Sequence, residues 1–123
     1  MTTFTIELIL IILLVHWLAD FVIQTNYQAT NKYKSVEQLT YHVLSYTGVW
    51  IIPSIIMLNS ALDIIFFLCI TFVTHFLVDY VSSKLSHRYF NTTNYHNAFV
   101  VIGFDQLLHY AQIILTILLL KAS

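Results

Sequence analysis

The chain has 123 residues, of which 59% are apolar, 15% aromatic and only 9% charged, with a formal net charge of −1. A water-exposed domain usually carries about 25% charged residues, so five Lys/Arg and six Asp/Glu exclude an ordinary soluble protein, and the mean hydropathy of +0.78 excludes disorder. There is no basic footprint for nucleic acid, and one cysteine, Cys69, supports neither a disulfide framework nor a thiolate metal cluster. The composition predicts a single integral membrane domain over residues 1–123.

Hydropathy predicts four membrane-crossing helices, residues 4–23, 36–58, 62–85 and 97–120, each near the 20 residues a bilayer demands. Membrane strands would alternate apolar and polar residues, and these runs do not. The N-terminus lacks the basic region and cleavage site of a signal peptide. The first span carries Glu7 near its start and ends in His16-Trp17-Leu18-Ala19-Asp20-Phe21-Val22, with Gln24 just beyond. Lys32 and Lys34 lie in the following connection. Ser35-Val36-Glu37-Gln38 reads as a capping box opening the second span, which holds His42 near its start and Pro53 as an expected kink. Ser60-Ala61-Leu62-Asp63 is the same device before the third span, so Asp63 reads as a cap. That span ends in His75-Phe76-Leu77-Val78-Asp79-Tyr80-Val81, and a loop with Lys84, His87, Arg88 and His96 follows. The fourth span carries Asp105-Gln106-Leu107-Leu108-His109.

Four of the five basic residues sit in the two longer connections. The positive-inside rule therefore places both connections in the cytoplasm and both termini on the other side. Tyr27, Tyr33, Tyr41, Tyr80, Tyr89 and Tyr95 fall at the cytoplasmic edge as an aromatic belt.

The heptapeptide H-[WF]-L-x-D-[FY]-V closes spans one and three, and span four carries the reversed spacing. Residues four apart share a helix face about 6 Å apart along the axis, so each His/Asp pair can aim two ligands at one point. Spans one and three run inward and carry their pairs late; spans two and four run outward and carry theirs early. All seven groups, His16, Asp20, His42, His75, Asp79, Asp105 and His109, are therefore expected in the cytoplasmic half of the bundle. An Asp at the centre of a membrane helix costs roughly 2.5–3.5 kcal/mol, and a bound divalent cation would offset that cost. Imidazole with carboxylate suits zinc first, then manganese, iron or nickel. The set exceeds one tetrahedral site, so one or two ions are expected. The predicted metal ligands are His16, Asp20, His75, Asp79, Asp105 and His109, with His42 as ligand or base and Asp105 also catalytic. Gln24, Lys84 and Arg88 are candidates for an anionic substrate or headgroup. A hydrogen-bonded structural core or a proton path is the competing reading of the same residues.

The repeated heptapeptide predicts an all-α four-helix bundle of two helical hairpins in parallel repeat, about an axis along the membrane normal. Across nearly the whole chain, His16 to Phe21 with Gln24, Asn31-Lys32, His42, His75 to Tyr80 with Lys84, and Phe104 to His109 resemble a family of small four-helix membrane proteins of bacteria and phages catalogued as a domain of unknown function. More distantly the chain is similar to membrane-bound metal-dependent hydrolases, although their His-Arg-x-x-Thr-His-type signature is absent. The resemblance implies a multi-pass protein of the bacterial cytoplasmic membrane. The expected activity is metal-dependent hydrolysis of a lipid phosphoester or lipid-linked substrate at the cytoplasmic face. A metal or proton transporter or sensor, a two-His haem protein, and a phage-type membrane protein with a structural polar core are the alternatives. Membrane lipids are the expected partners, with a homo-oligomer open.

Overall fold

The computed structural model describes residues 5–123; the expected start of the first span at Phe4 lies outside them. The described residues form helices and no strand: α1 (Ile6–Trp17) running into a π-helical segment (Leu18–Val22), α2 (Asn26–Asn31), α3 (Val36–Val49), α4 (Ile51–Met57), α5 (Ala61–Asn91) and α6 (Tyr95–Ala122). Three stretches, Val36–Met57, Ala61–Asn91 and Tyr95–Ala122, are long and apolar enough to cross a membrane. The first rod is shorter, and its last turn departs from the expected α-helix. Ile23 donates to the Leu18 carbonyl at 2.9 Å, an i→i−5 bond that widens the turn. Such π segments recur at functional sites, and here Ala19 and Asp20 are both buried by it.

Local chemistry explains the boundaries. The Ser35 and Ser60 hydroxyls accept from the Gln38 and Asp63 amides at 3.2 and 3.0 Å, so the N-cap half of each predicted box forms, while the Ser35 amide donates to the Asn31 carbonyl at 3.0 Å and not to Gln38. The connection after the first span, expected as loop, contains α2. A complete capping box starts it, Thr25 accepting from the Gln28 amide while the Gln28 side chain accepts from the Thr25 amide. The second span breaks at Trp50, three residues before Pro53, which has no N–H to give the Val49 carbonyl. Trp50 instead donates to Thr47 in a tighter turn.

The loop expected between spans three and four shrinks to Thr92–Asn94, because α5 continues six residues past Leu85. The turn is a Schellman closure, with the Asn94 amide on the Tyr89 carbonyl and the Thr93 amide on that of Phe90. It requires Thr93 at φ 55°, a conformation that a β-branched residue rarely adopts.

Helices α5 and α6 form a long antiparallel pair, α3 packs on α5, and α1 reaches α6. The outer faces are apolar: Leu10, Ile56, Leu62, Phe99, Phe104 and Leu119 are all more than half exposed. The interior has two layers. Ile12, Trp50, Phe67, Ile113 and Ile117 fill one end, and the other is polar.

Candidate metal centre

All seven predicted groups are buried, and the helices bring them into one cluster. The π-helical segment supplies Asp20, α3 supplies His42, α5 supplies His75 and Asp79, and α6 supplies Asp105 and His109. His42 Nε2 stands 3.0 Å from Asp20 Oδ1, 3.2 Å from Asp79 Oδ2 and 3.2 Å from His75 Nε2. His75 Nε2 lies 3.4 Å from the same Asp20 oxygen and 3.5 Å from the same Asp79 oxygen. Ligands held about 2.0–2.1 Å from a tetrahedral zinc ion are about 3.3 Å apart, so five of the six edges of this tetrahedron have the required length. The outer nitrogens, His42 Nδ1 and His75 Nδ1, have no hydrogen-bond partner; both rings spend their polar contacts on the cluster centre. The donor set fits a divalent cation.

Asp20, Asp105 and His109 form a second group with ligand atoms within 4.8 Å of one another, so Asp20 belongs to both. His109 Nε2 bridges Asp79 Oδ1 at 3.0 Å and Asp105 Oδ2 at 3.2 Å. His16 enters neither group. The Gln106 amide donates to Asp20 Oδ2 at 3.1 Å and Asp105 Oδ2 at 2.9 Å, which turns its carbonyl toward His16. His16 Nε2–H therefore donates to Gln106 Oε1 at 2.6 Å, and His16 Nδ1 accepts from the Tyr46 hydroxyl at 2.7 Å. His16 thus orients the carboxylates through Gln106.

Four participants escape the His/Asp pattern. Lys32, expected as a topology signal and as part of the Asn31-Lys32 match, places its ammonium 2.9 Å from Asp79 Oδ2. Burial works against that charge, but the Asp79 and Asp20 carboxylates outweigh it and hold the pKa above the ordinary lysine value. Tyr46 stacks on His75 at 3.8 Å between ring centres; it lies four residues after His42, the same spacing that marks the His/Asp pairs. Gln106 was visible only as a neighbour of Asp105. Ser82 donates to Asp105 Oδ1, and no spacing signal announced it.

A cavity of about 470 Å³ leads from the cluster to the surface near Thr30 and Phe90, with Asp20, Asp105 and Gln106 at its floor. Gln24, Lys32, Ser83 and His87 stand in its walls, and Gln24 Oε1 and Ser83 Oγ are buried without a partner. Of the three residues expected to bind substrate, only Gln24 lines this cavity. Lys84 donates to the Tyr33 carbonyl at 3.0 Å and covers the Tyr80 ring, tying the first connection to α5, and Arg88 is exposed in the last turn of α5. His87, expected as a solvated loop residue, is helical and stacks on Tyr33 at 3.5 Å.

No curated protein and no solved structure matches the chain. The family model described as "Protein of unknown function (DUF3307)" matches residues 8–123, and the chain belongs to that family.

Proposed function

We propose that this protein is a multi-pass hydrolase of the bacterial cytoplasmic membrane, cleaving a phosphoester of a membrane lipid with one or two divalent cations held by the His/Asp cluster. The observation that carries this reading is the buried group of Asp20, His42, His75 and Asp79, five of whose six ligand-atom separations are 3.0–3.5 Å.

Membrane placement is supported by the inversion of polarity, with apolar side chains outside and charged ones inside. The rod from Ile6 to Val22 makes the fourth crossing, at the short end of the range that spans a bilayer. Lys32, Lys34, Lys84 and Arg88 gather at the cavity end, so the cavity opens to the cytoplasm and both termini lie outside. Two hairpins, each beginning with an H-[WF]-L-x-D-[FY]-V helix, build the bundle in parallel repeat.

Asp20, His42, His75 and Asp79 would hold the first cation, and Asp105 and His109 with Asp20 a second, zinc suiting the donors first and manganese, iron or nickel next. Bound there, a divalent cation supplies a Lewis acid for a phosphoryl oxygen and activates water at neutral pH. Asp105 is the one carboxylate besides Asp20 that lines the cavity, and Ser82 and Gln106 fix its orientation. In this reading it takes the proton of an attacking water. Lys32 stands at the cavity wall, where its ammonium offsets the charge of a phosphate.

The transport alternative is disfavoured by the interior beyond the cluster. Thr71, Gln112 and Thr116 form a small hydrogen-bonded group there, and Trp50, Phe67, Ile113 and Ile117 then close the bundle with apolar packing.

The test is hydrolysis of phosphatidic acid, phosphatidylglycerol and a polyprenyl phosphate by the zinc- or manganese-loaded protein in nanodiscs. Turnover of one of them, lowered at least 100-fold by Asp105→Asn, is expected. No turnover of any with either metal contradicts the hydrolase reading.

A further inference from the structure

A second cavity, about 530 Å³, runs along the outer surface between α5 and α6. Leu77, Val81 and Leu85 line one side of it, and Val101, Phe104 and Leu108 the other. From Leu77 to Leu85 it follows α5 for about 12 Å. Its walls are apolar except at two residues, Ser82 and Asp105, and both also line the polar cavity above the cluster. The hydrogen bond from Ser82 to Asp105 is therefore the partition between an apolar groove facing outward and a polar chamber facing the cluster.

An outward apolar groove alone would collect any acyl chain. The shared wall adds a polarity pattern along one path: apolar from Leu77 to Phe104, then hydroxyl and carboxylate at Ser82 and Asp105, then the chamber with Lys32. Within the chamber, Gln24 Oε1 and Ser83 Oγ are buried acceptor-capable groups with no protein partner. Only an amphiphile matches both halves at once, with an acyl chain in the groove and a polar head in the chamber. Both volumes lie in the range of small-molecule sites.

We propose that the gap between α5 and α6 is a lateral portal, through which a phosphate-bearing membrane lipid places its head above the His/Asp cluster while one acyl chain stays in the groove. This rests on the membrane placement above and requires neither bound metal nor turnover. Rotation of the Ser82 hydroxyl away from Asp105 opens the partition, and the freed hydroxyl donates to a phosphate oxygen of the head. The exposed side chains of the groove leave the lipid continuous with the surrounding bilayer.

Two photoreactive probes in nanodiscs test the portal: phosphatidic acid with a diazirine in its acyl chain, and phosphatidylglycerol with a diazirine on its head. The acyl probe is expected to label Val81, Val101 or Phe104, and the head probe Gln24, Ser83 or His87. Filling the groove with Val81→Trp and Val101→Trp, neither of which touches the cluster, is expected to cut head labelling in the chamber at least tenfold. Labelling of outward residues such as Leu10 and Ile52 should stay unchanged. Head labelling that survives the groove-filling substitutions would overturn lateral access in favour of the cytoplasmic mouth. Outward labelling with none in the chamber would reduce the groove to a bed for bulk lipid and overturn the proposal. Absence of labelling on the outward faces would overturn the membrane placement itself, a different failure from an inactive hydrolase.

Discussion

The Nε2 atoms of His42 and His75 stand 3.2 Å apart, each within 3.5 Å of a carboxylate oxygen of Asp20 and one of Asp79. Two imidazole nitrogens and two carboxylate oxygens meeting at one buried point make up a cation's donor shell. His75→Ala should therefore weaken zinc binding by at least 100-fold. In the wild type, zinc at 100 times its Kd should stabilise the fold by about 2.7 kcal/mol, read as a rise in Tm that a chelator reverses. His75→Ala at the same zinc concentration should show little of that rise.

Lys32 and the cation compete for the same Asp79 oxygen. Lys32→Met takes the ammonium from the buried Asp79 carboxylate, which keeps its contacts to His42 and His109, so the loss should stay below the roughly 3 kcal/mol of a fully broken buried pair. The variant should unfold more easily than the wild type in chelator. Its zinc affinity should rise several-fold, since a positive charge 2.9 Å from a ligand atom is gone. Opposite signs in the two states, measured by thermal unfolding and zinc titration, identify the competition. Equal destabilisation with and without zinc would make Lys32 only a strut.

Gln106 links His16 to two carboxylates and is predicted to set their orientation. Gln106→Leu should lower cation affinity about 10–100-fold, as loss of a partner behind a ligand does. Tyr46→Phe leaves His16 Nδ1 unsatisfied, at a cost of about 1–3 kcal/mol, and should leave the metal stoichiometry unchanged.

Thr93 holds the α5–α6 turn at φ 55°, where a glycine carries no side-chain penalty. Thr93→Gly should stabilise the protein by about 1 kcal/mol, with no change in cation binding. Thr93→Val should destabilise it.

The polar cluster was legible because membrane helices leave few reasons for an Asp or His in an apolar run, and the i, i+4 spacing then fixes the face. His75/Asp79 and Asp105/His109 follow that logic, with neighbouring helices completing the contacts. His16 does come within 3.5 Å of Asp20, as the spacing predicts, but its hydrogen bonds go to Gln106 and Tyr46, because spacing sets a helix face and not the atom a ring nitrogen finally meets. Lys32 was hidden by its place in a connection, where a basic residue already has a topological explanation. The π-helical turn at Leu18–Val22 and the helix α2 were missed for local reasons. A one-residue insertion in a helix leaves apolar periodicity nearly intact, and a six-residue helix is too short to display any. The extension of α5 to Asn91 ran past the apolar stretch that marked its predicted end.

Metal content is the most direct test of the cluster. The detergent-purified protein, exposed to zinc, manganese, iron or nickel and desalted, should retain one or two equivalents by elemental analysis. An Asp20→Ala/Asp79→Ala variant with the same helical circular dichroism should retain less than a tenth of that. A folded wild-type protein that holds none of the four metals would contradict the metal centre, leaving the seven buried groups as a hydrogen-bonded core.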